Sequence, residues 1–155
     1  CGIDMNLAIR SVAEADRDNW QSLFDAYAAF YKTEVLAGVH DAVWGWIFDP
    51  AEAFWCDVAE AQDGTLLGFA QYQLMQRSLS GNKVCYMSDL FVRPDARGSG
   101  AGRALIDHVI SFARTNGISN LRWLTQEFNY DARRLYDSFT ARSDFVLYSI
   151  PLETP

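Results

Sequence analysis

The stretch Leu90-Phe91-Val92-Arg93-Pro94-Asp95-Ala96-Arg97-Gly98-Ser99-Gly100-Ala101-Gly102-Arg103-Ala104-Leu105 runs from an apolar strand through a Pro/Asp turn into a helix opened by glycines. Glycine lacks a Cβ, so its backbone twists freely and comes close to a ligand. The first N–H groups of the helix have no internal partners, and its dipole is positive at that end. Together these features make an anion site, most naturally for a phosphate or pyrophosphate. Two other glycine motifs are excluded. No Gly-Lys-Ser/Thr closes the loop as in a Walker sequence, and glycines at 98, 100 and 102 do not have the Gly-x-Gly-x-x-Gly spacing of a dinucleotide fingerprint.

A second block, Trp123-Leu124-Thr125-Gln126-Glu127-Phe128-Asn129-Tyr130-Asp131-Ala132-Arg133-Arg134-Leu135-Tyr136, places an asparagine and a tyrosine around an apolar-faced helix. The loop Arg97 to Gly102 resembles the Arg/Gln-x-x-Gly-x-Gly/Ala signature of the GCN5-related N-acetyltransferases, and the second block resembles their strand-Asn-x-x-Ala-x-x-Leu-Tyr element. The resemblance covers almost the whole chain. It implies acetyl-CoA as co-substrate, with the pyrophosphate held by Arg97, Gly98, Ser99, Gly100, Ala101 and Gly102. Arg97 and Arg103 would add charge-assisted contacts.

The same resemblance implies that backbone groups of Leu90, Phe91 and Val92 pair with the pantetheine arm, as an added strand pairs with a sheet edge. A backbone N–H near Leu90 would polarise the thioester carbonyl. Asn129 would bond the pantetheine arm or help splay the strands. Tyr136 would protonate the departing thiolate, a role suited to a phenol with a pKa of about 10.

The general base is less sharply marked. Some polyamine-acetylating relatives carry Glu-Asp before the loop, where this chain has Ser88-Asp89. Asp89 is the candidate base, acting directly or through a water, with a structural role as the alternative. Glu127 and Glu34 are further carboxylates that could line an acceptor pocket. Residues 20–55 are dense in aromatics. Most must form core, with Tyr27, Tyr31 and Trp44 the candidates to wall an ammonium-binding site.

The elements that must carry these residues follow from periodicity. Leu7 to Arg10 reads as a strand, Glu14 to Tyr31 and Val39 to Phe48 as helices, and Phe54 to Ala61 and Thr65 to Gln76 as a hairpin across Asp63-Gly64. Val84 to Val92 is a strand, and the helix after the loop stops near Asn116-Gly117. Leu121 to Gln126 reads as a strand, Asp131 to Phe139 as a helix and Asp144 to Pro151 as a last strand. This predicts a mixed α/β (α+β) fold. The family resemblance makes it a mostly antiparallel central sheet, splayed between two parallel strands and flanked by helices.

A chain of 155 residues suits one domain, predicted as residues 5–155, with residues 1–4 read as an expression remnant before Met5. Half the residues are hydrophobic and 14% aromatic, which excludes disorder. A net charge of −7 argues against nucleic acid and is compatible with a cationic amine acceptor. No apolar run approaches membrane-spanning length. Cys1, Cys56 and Cys85 lack metal-ligand spacing, so no metal is expected, and a reducing cytoplasm fits. The closing segment resembles the yeast histone/polyamine-type acetyltransferases, in which the last strand can take part in dimer formation, so a homodimer is expected. The function this implies is transfer of acetyl from acetyl-CoA to a primary amine on a small molecule or a protein, in a ternary complex. The alternatives are a non-catalytic acyl-CoA-binding module and a protein-specific lysine or N-terminal acetyltransferase.

Overall fold

The element order is β1 (Ala8–Ser11), α1 (Arg17–Phe30), α2 (Val39–Phe48), β2 (Phe54–Glu60), β3 (Leu66–Arg77), β4 (Asn82–Val92), α3 (Ala101–Thr115), β5 (Leu121–Trp123) and α4 (Tyr130–Asp137). These come from a computed structural model that describes residues 7–153. The proposed remnant at residues 1–4 lies outside the described residues. The chain divides into two compact units, Cys1–Leu124 and Thr125–Pro155.

In the first unit the five strands form one sheet in the order β1-β2-β3-β4-β5. β1 to β4 pair antiparallel, and β4 pairs with β5 in parallel at Cys85↔Leu121, Tyr86↔Arg122 and Met87↔Trp123. Strand alternation sends successive side chains to opposite faces. On one face Phe54, Cys56, Val58 and Phe69 meet Trp20, Leu23 and Val43 from α1 and α2. On the other, Trp55 and Tyr72 pack on Phe112 of α3 with ring centroids 4.7 and 5.0 Å apart. Full burial of each such side chain stabilises the fold by about 1.5–3 kcal/mol. The helix periodicity buries Leu105, Ile106, Val109 and Ala113 of α3, with Ile110 and Phe112 partly buried beside them.

The β3–β4 ladder contains one irregularity. Gln71 pairs with Asp89 and Tyr72 with Met87, so Ser88 has no register partner on β3 and forms a bulge. A bulge bends the strand and re-aims the side chains that follow it. Nearby, Gly68 lies close against β4: a Cβ there would strike the Phe91 carbonyl oxygen and sit 3.1 Å from Val92 Cα.

Two expected strands differ from the structure. β5 ends at Trp123 instead of Gln126. The last strand, expected at Asp144 to Pro151, does not form: residues 145–152 have no regular structure, and Phe145, Tyr148 and Ile150 are 91, 90 and 80% exposed. An alternating apolar pattern supplies side chains for a strand, but a strand also needs a neighbour to take its backbone hydrogen bonds.

Candidate active site

The glycine loop follows a short 3-10 turn, Pro94–Ala96, in which Pro94 fixes the first residue. Gly98 and Gly100 adopt φ of +84° and +88°, a left-handed conformation that L side chains rarely take. Gly100 is the N-cap of α3 with no side-chain cap, and Ala104 N makes the first helical bond, to Gly100 O. The N–H group of Gly102 precedes that bond and therefore lacks an intrahelical acceptor by position. A Cβ at Gly98 or Gly100 would meet nothing within 4 Å, so the space beside the turn at both positions is open. These features fit an anion such as a pyrophosphate. Gly102 lies within the first helical turn, and Ser99 Oγ accepts from Ala101 N at 3.4 Å.

Arg97 is exposed beside this turn. Its Nε donates to Val92 O at 3.4 Å, and its guanidinium carbon lies 5.0 Å from the Phe30 ring centroid. Arg103 is exposed on the first turn of α3.

β4 and β5 pair only at residues 85–87 of β4. Beyond that point β4 continues through Leu90, Phe91 and Val92, bonded to β3 alone. The β4–β5 ladder has ended there, and a strand edge without a ladder partner offers backbone groups to an added extended chain.

Asp89 lies at the start of that edge and is partly buried. Its Oδ2 accepts from Gln71 Nε2 at 2.9 Å and from Ser88 Oγ at 3.0 Å. Gln71 is 1% exposed, and its Oε1 accepts from the Trp20 indole N–H at 2.9 Å. Gln71 was not among the residues the sequence marked. Its signal was a polar side chain inside the apolar run Leu66 to Tyr72.

The aromatic candidates divide. Tyr27 packs on Phe69 and Phe91 with centroids 5.5 and 5.7 Å away, and Trp44 packs on Trp20 at 4.8 Å. Tyr31 contacts Tyr27 and Phe30 at the C-terminal end of α1 and is partly exposed. Glu34 is exposed in the segment that follows. The end of α1 thus lies against Phe91 of β4 and Arg97 of the loop.

In the second unit, Asn129 is the N-cap of α4 and donates from Nδ2 to Thr125 Oγ1 at 3.3 Å. Tyr136 is partly buried in the last turn of α4. Glu127 is exposed, and Arg142 Nη1 lies 3.6 Å from its carboxylate.

A polar cluster on the α3 face was also not marked by the sequence. The Asp57 carboxylate, 1% exposed, accepts from Tyr72 Oη at 2.8 Å and lies 2.8 Å from His108 Nδ1. Burial raises the Asp57 pKa, while the bonds to His108 and Tyr72 act in the opposite direction. Among the described residues no cluster of three or more His, Cys, Asp or Glu could hold a metal ion. Nor is any described helix long and apolar enough to cross a membrane.

Comparison with known proteins adds an independent line. Residues 20–140 match the family model described as Acetyltransferase (GNAT) family. The chain is 31% identical over 147 residues to D-amino-acid N-acetyltransferase HPA3 of Saccharomyces cerevisiae, covering 94% of this chain and 91% of that protein. It is 30% identical over 83 residues to thialysine N-epsilon-acetyltransferase of Sus scrofa, covering 54% of this chain and 48% of that protein. Its fold matches the crystal structure of a ribosomal-protein-alanine N-acetyltransferase from Brucella melitensis biovar Abortus 2308 with a TM-score of 0.78. The two are 24% identical, with 94% of this chain and 99% of that one covered.

Proposed function

The chain belongs to the GNAT acetyltransferase family, and from that membership we propose that it moves the acetyl group of acetyl-CoA to a primary amine by direct attack in a ternary complex. The observation that carries this reading is the open β4 edge running into the Gly98–Gly100 turn at the start of α3. An anion-binding turn at the end of a free strand edge suits a ligand with a pyrophosphate and an extended amide-bearing arm.

In this reading the glycine turn and the first N–H groups of α3 hold the pyrophosphate, with Arg97 and Arg103 adding positive charge. Leu90, Phe91 and Val92 offer backbone groups to the pantetheine arm. Asn129 serves that arm or the parting of the strands. Asp89 takes a proton from the acceptor ammonium, directly or through a water. The freed amine nitrogen then bonds to the thioester carbonyl carbon as the C–S bond breaks. Tyr136 gives a proton to the departing thiolate and regains one from the nitrogen of the new amide, while Asp89 releases its proton to solvent. The products are an amide, a free thiol and one net proton. Tyr27, Tyr31, Trp44 and Glu127 are the proposed lining of the acceptor site.

Two relatives suggest the acceptor class, since one is named for D-amino acids and the other for thialysine. We take a small amino-acid amine as the first acceptor to test. A dimer belongs to the same reading, supported by the exposed apolar side chains of Phe145, Tyr148, Ile150 and Leu152. A cytoplasmic setting belongs to the same reading, supported by the free thiols of Cys56 and Cys85.

The test is free-thiol release from acetyl-CoA with D-amino acids, thialysine, spermidine and a lysine peptide. Release with an amino-acid amine supports the proposal. Release with the peptide alone points to a protein substrate, and no release above background with any amine overturns it. Sedimentation velocity at several concentrations tests the dimer, which a monomer throughout would refute.

A further inference from the structure

We propose that Gln71 is a positioning residue for the reaction: it orients the Asp89 carboxylate toward the acceptor amine, and Trp20 fixes the direction of the Gln71 amide. The inference rests on the reading of Asp89 as the base.

The argument begins with the register. Ser88 bulges out of β4, which puts Asp89 directly across from Gln71. Without the bulge, alternation would place a different β4 side chain on that face. Side chains directly across a ladder are close enough to bond.

The second step concerns the amide. A glutamine amide presents an oxygen on one side and an NH2 on the other, and either could face a given neighbour. Here the choice is made by Trp20. Its indole nitrogen is a donor only, and the residue is 0% exposed, so it needs an acceptor inside the protein. Gln71 Oε1 supplies it at 2.9 Å. The amide is planar, so Nε2 must point the other way, where it donates to Asp89 Oδ2 at 2.9 Å. A flipped amide would set its oxygen against the carboxylate and its NH2 against the indole N–H, two mismatches in a buried site.

The third step is which oxygen is used. Gln71 and Ser88 both bond Oδ2. Oδ1 takes neither bond, so it is the atom that can accept the amine proton while the plane of the carboxylate stays fixed. A base held in one orientation reacts without first having to reorganise.

The experiment is a double-mutant cycle on the full chain with acetyl-CoA and the most active amine of the panel above. Asp89→Asn is expected to lower kcat by about 100-fold, within the range of general base catalysis. Gln71→Met keeps a similar shape without the amide. It is expected to lower kcat by about 10-fold, with the KM for acetyl-CoA unchanged within about twofold. In the Asp89→Asn background, Gln71→Met should change kcat by less than about twofold, because its effect passes through the missing carboxylate.

A merely structural glutamine would cost the same factor in both backgrounds, and that result overturns the inference. Wild-type kcat in Gln71→Met overturns it too. Wild-type kcat in Asp89→Asn instead removes the base reading on which it rests, as does the absence of thiol release above background with every amine of the panel. If Gln71→Met fails to melt cooperatively, Trp20→Phe replaces it in the same cycle. That variant keeps an aromatic ring and frees the amide to flip, so loss of kcat only when Asp89 is present supports the inference. Equal loss in both backgrounds refutes it.

Discussion

Gly68 of β3, opposite Val92 in the ladder, lies so close to Phe91 of β4 that a Cβ at position 68 would collide with the Phe91 carbonyl oxygen. The neighbouring atom is backbone and cannot rotate away, so β4 would have to shift. The segment that would move is Leu90 to Val92, the proposed seat of the pantetheine arm.

Gly68→Ala should therefore do two things at once. Overpacking costs typically about 1–3 kcal/mol, which chemical denaturation would register. The KM for acetyl-CoA should rise several-fold, because the strand edge is displaced. A variant with unchanged stability and unchanged KM would contradict the geometry.

Removing the Tyr136 hydroxyl tests the proton donor. Tyr136→Phe should lower kcat by about 100-fold, in the range general acids contribute, with little change in the KM for acetyl-CoA. Full activity would remove Tyr136 from the mechanism.

Asp57 supplies a prediction about stability. The buried Tyr72 Oη donates to its carboxylate, and His108 Nδ1, on a partly exposed ring, lies 2.8 Å from it. Asp57→Ala should cost about 2–4 kcal/mol, since buried polar groups lose their bonds. Burial raises the Asp57 pKa, so in the folded state the carboxyl holds its proton more tightly than when unfolded. Its contribution is then fully present below the unfolded pKa of about 3.9 and is lost as pH rises through the folded value. Asp57→Asn removes the titration, so the variant should gain relative to wild type as pH rises through that window. Urea melts across pH 3 to 7 would show it, and a constant difference would contradict it.

Asp16 behaves in the opposite sense. Its carboxylate accepts two bonds from Arg10, at 2.7 and 3.0 Å, and one from Ala13 N at 2.7 Å. The Arg10 bonds hold its pKa below the ordinary value. That stability is present above about pH 3.9 and is lost as pH falls through the folded pKa. Asp16→Asn should thus cost about 1–2 kcal/mol near neutrality, a modest figure because Arg10 is one-third exposed. The gap from wild type should close in acid, and a gap as wide at pH 2 as at pH 7 would refute this.

The two described cysteines bear on the thiol assay itself. Cys56 and Cys85 are buried; burial raises the Cys56 pKa well above its ordinary value and pushes the Cys85 pKa up to about 11. With so little thiolate, neither should react with a disulfide reagent in the native protein. Rapid labelling of either at pH 8 would show that the native structure opens readily.

The sequence by itself determined what is local. Glycine spacing at 98, 100 and 102 marks the turn and the helix start, because φ and the unpaired N–H groups depend only on neighbours along the chain. Periodicity likewise marked α1, α2, α3 and the β2–β3 hairpin. Tertiary structure decided what depends on partners far away in the chain. The Ser88 bulge exists only against β3, so no local pattern could reveal that Asp89 faces Gln71. Trp20 and Gln71, or Asp57 and His108, stand 51 residues apart and meet only once the helices cover the sheet. The segment from Asp144 to Pro151 shows the same rule from the other side. Its alternation reads as a strand, but a strand exists only where a second backbone completes its hydrogen bonds.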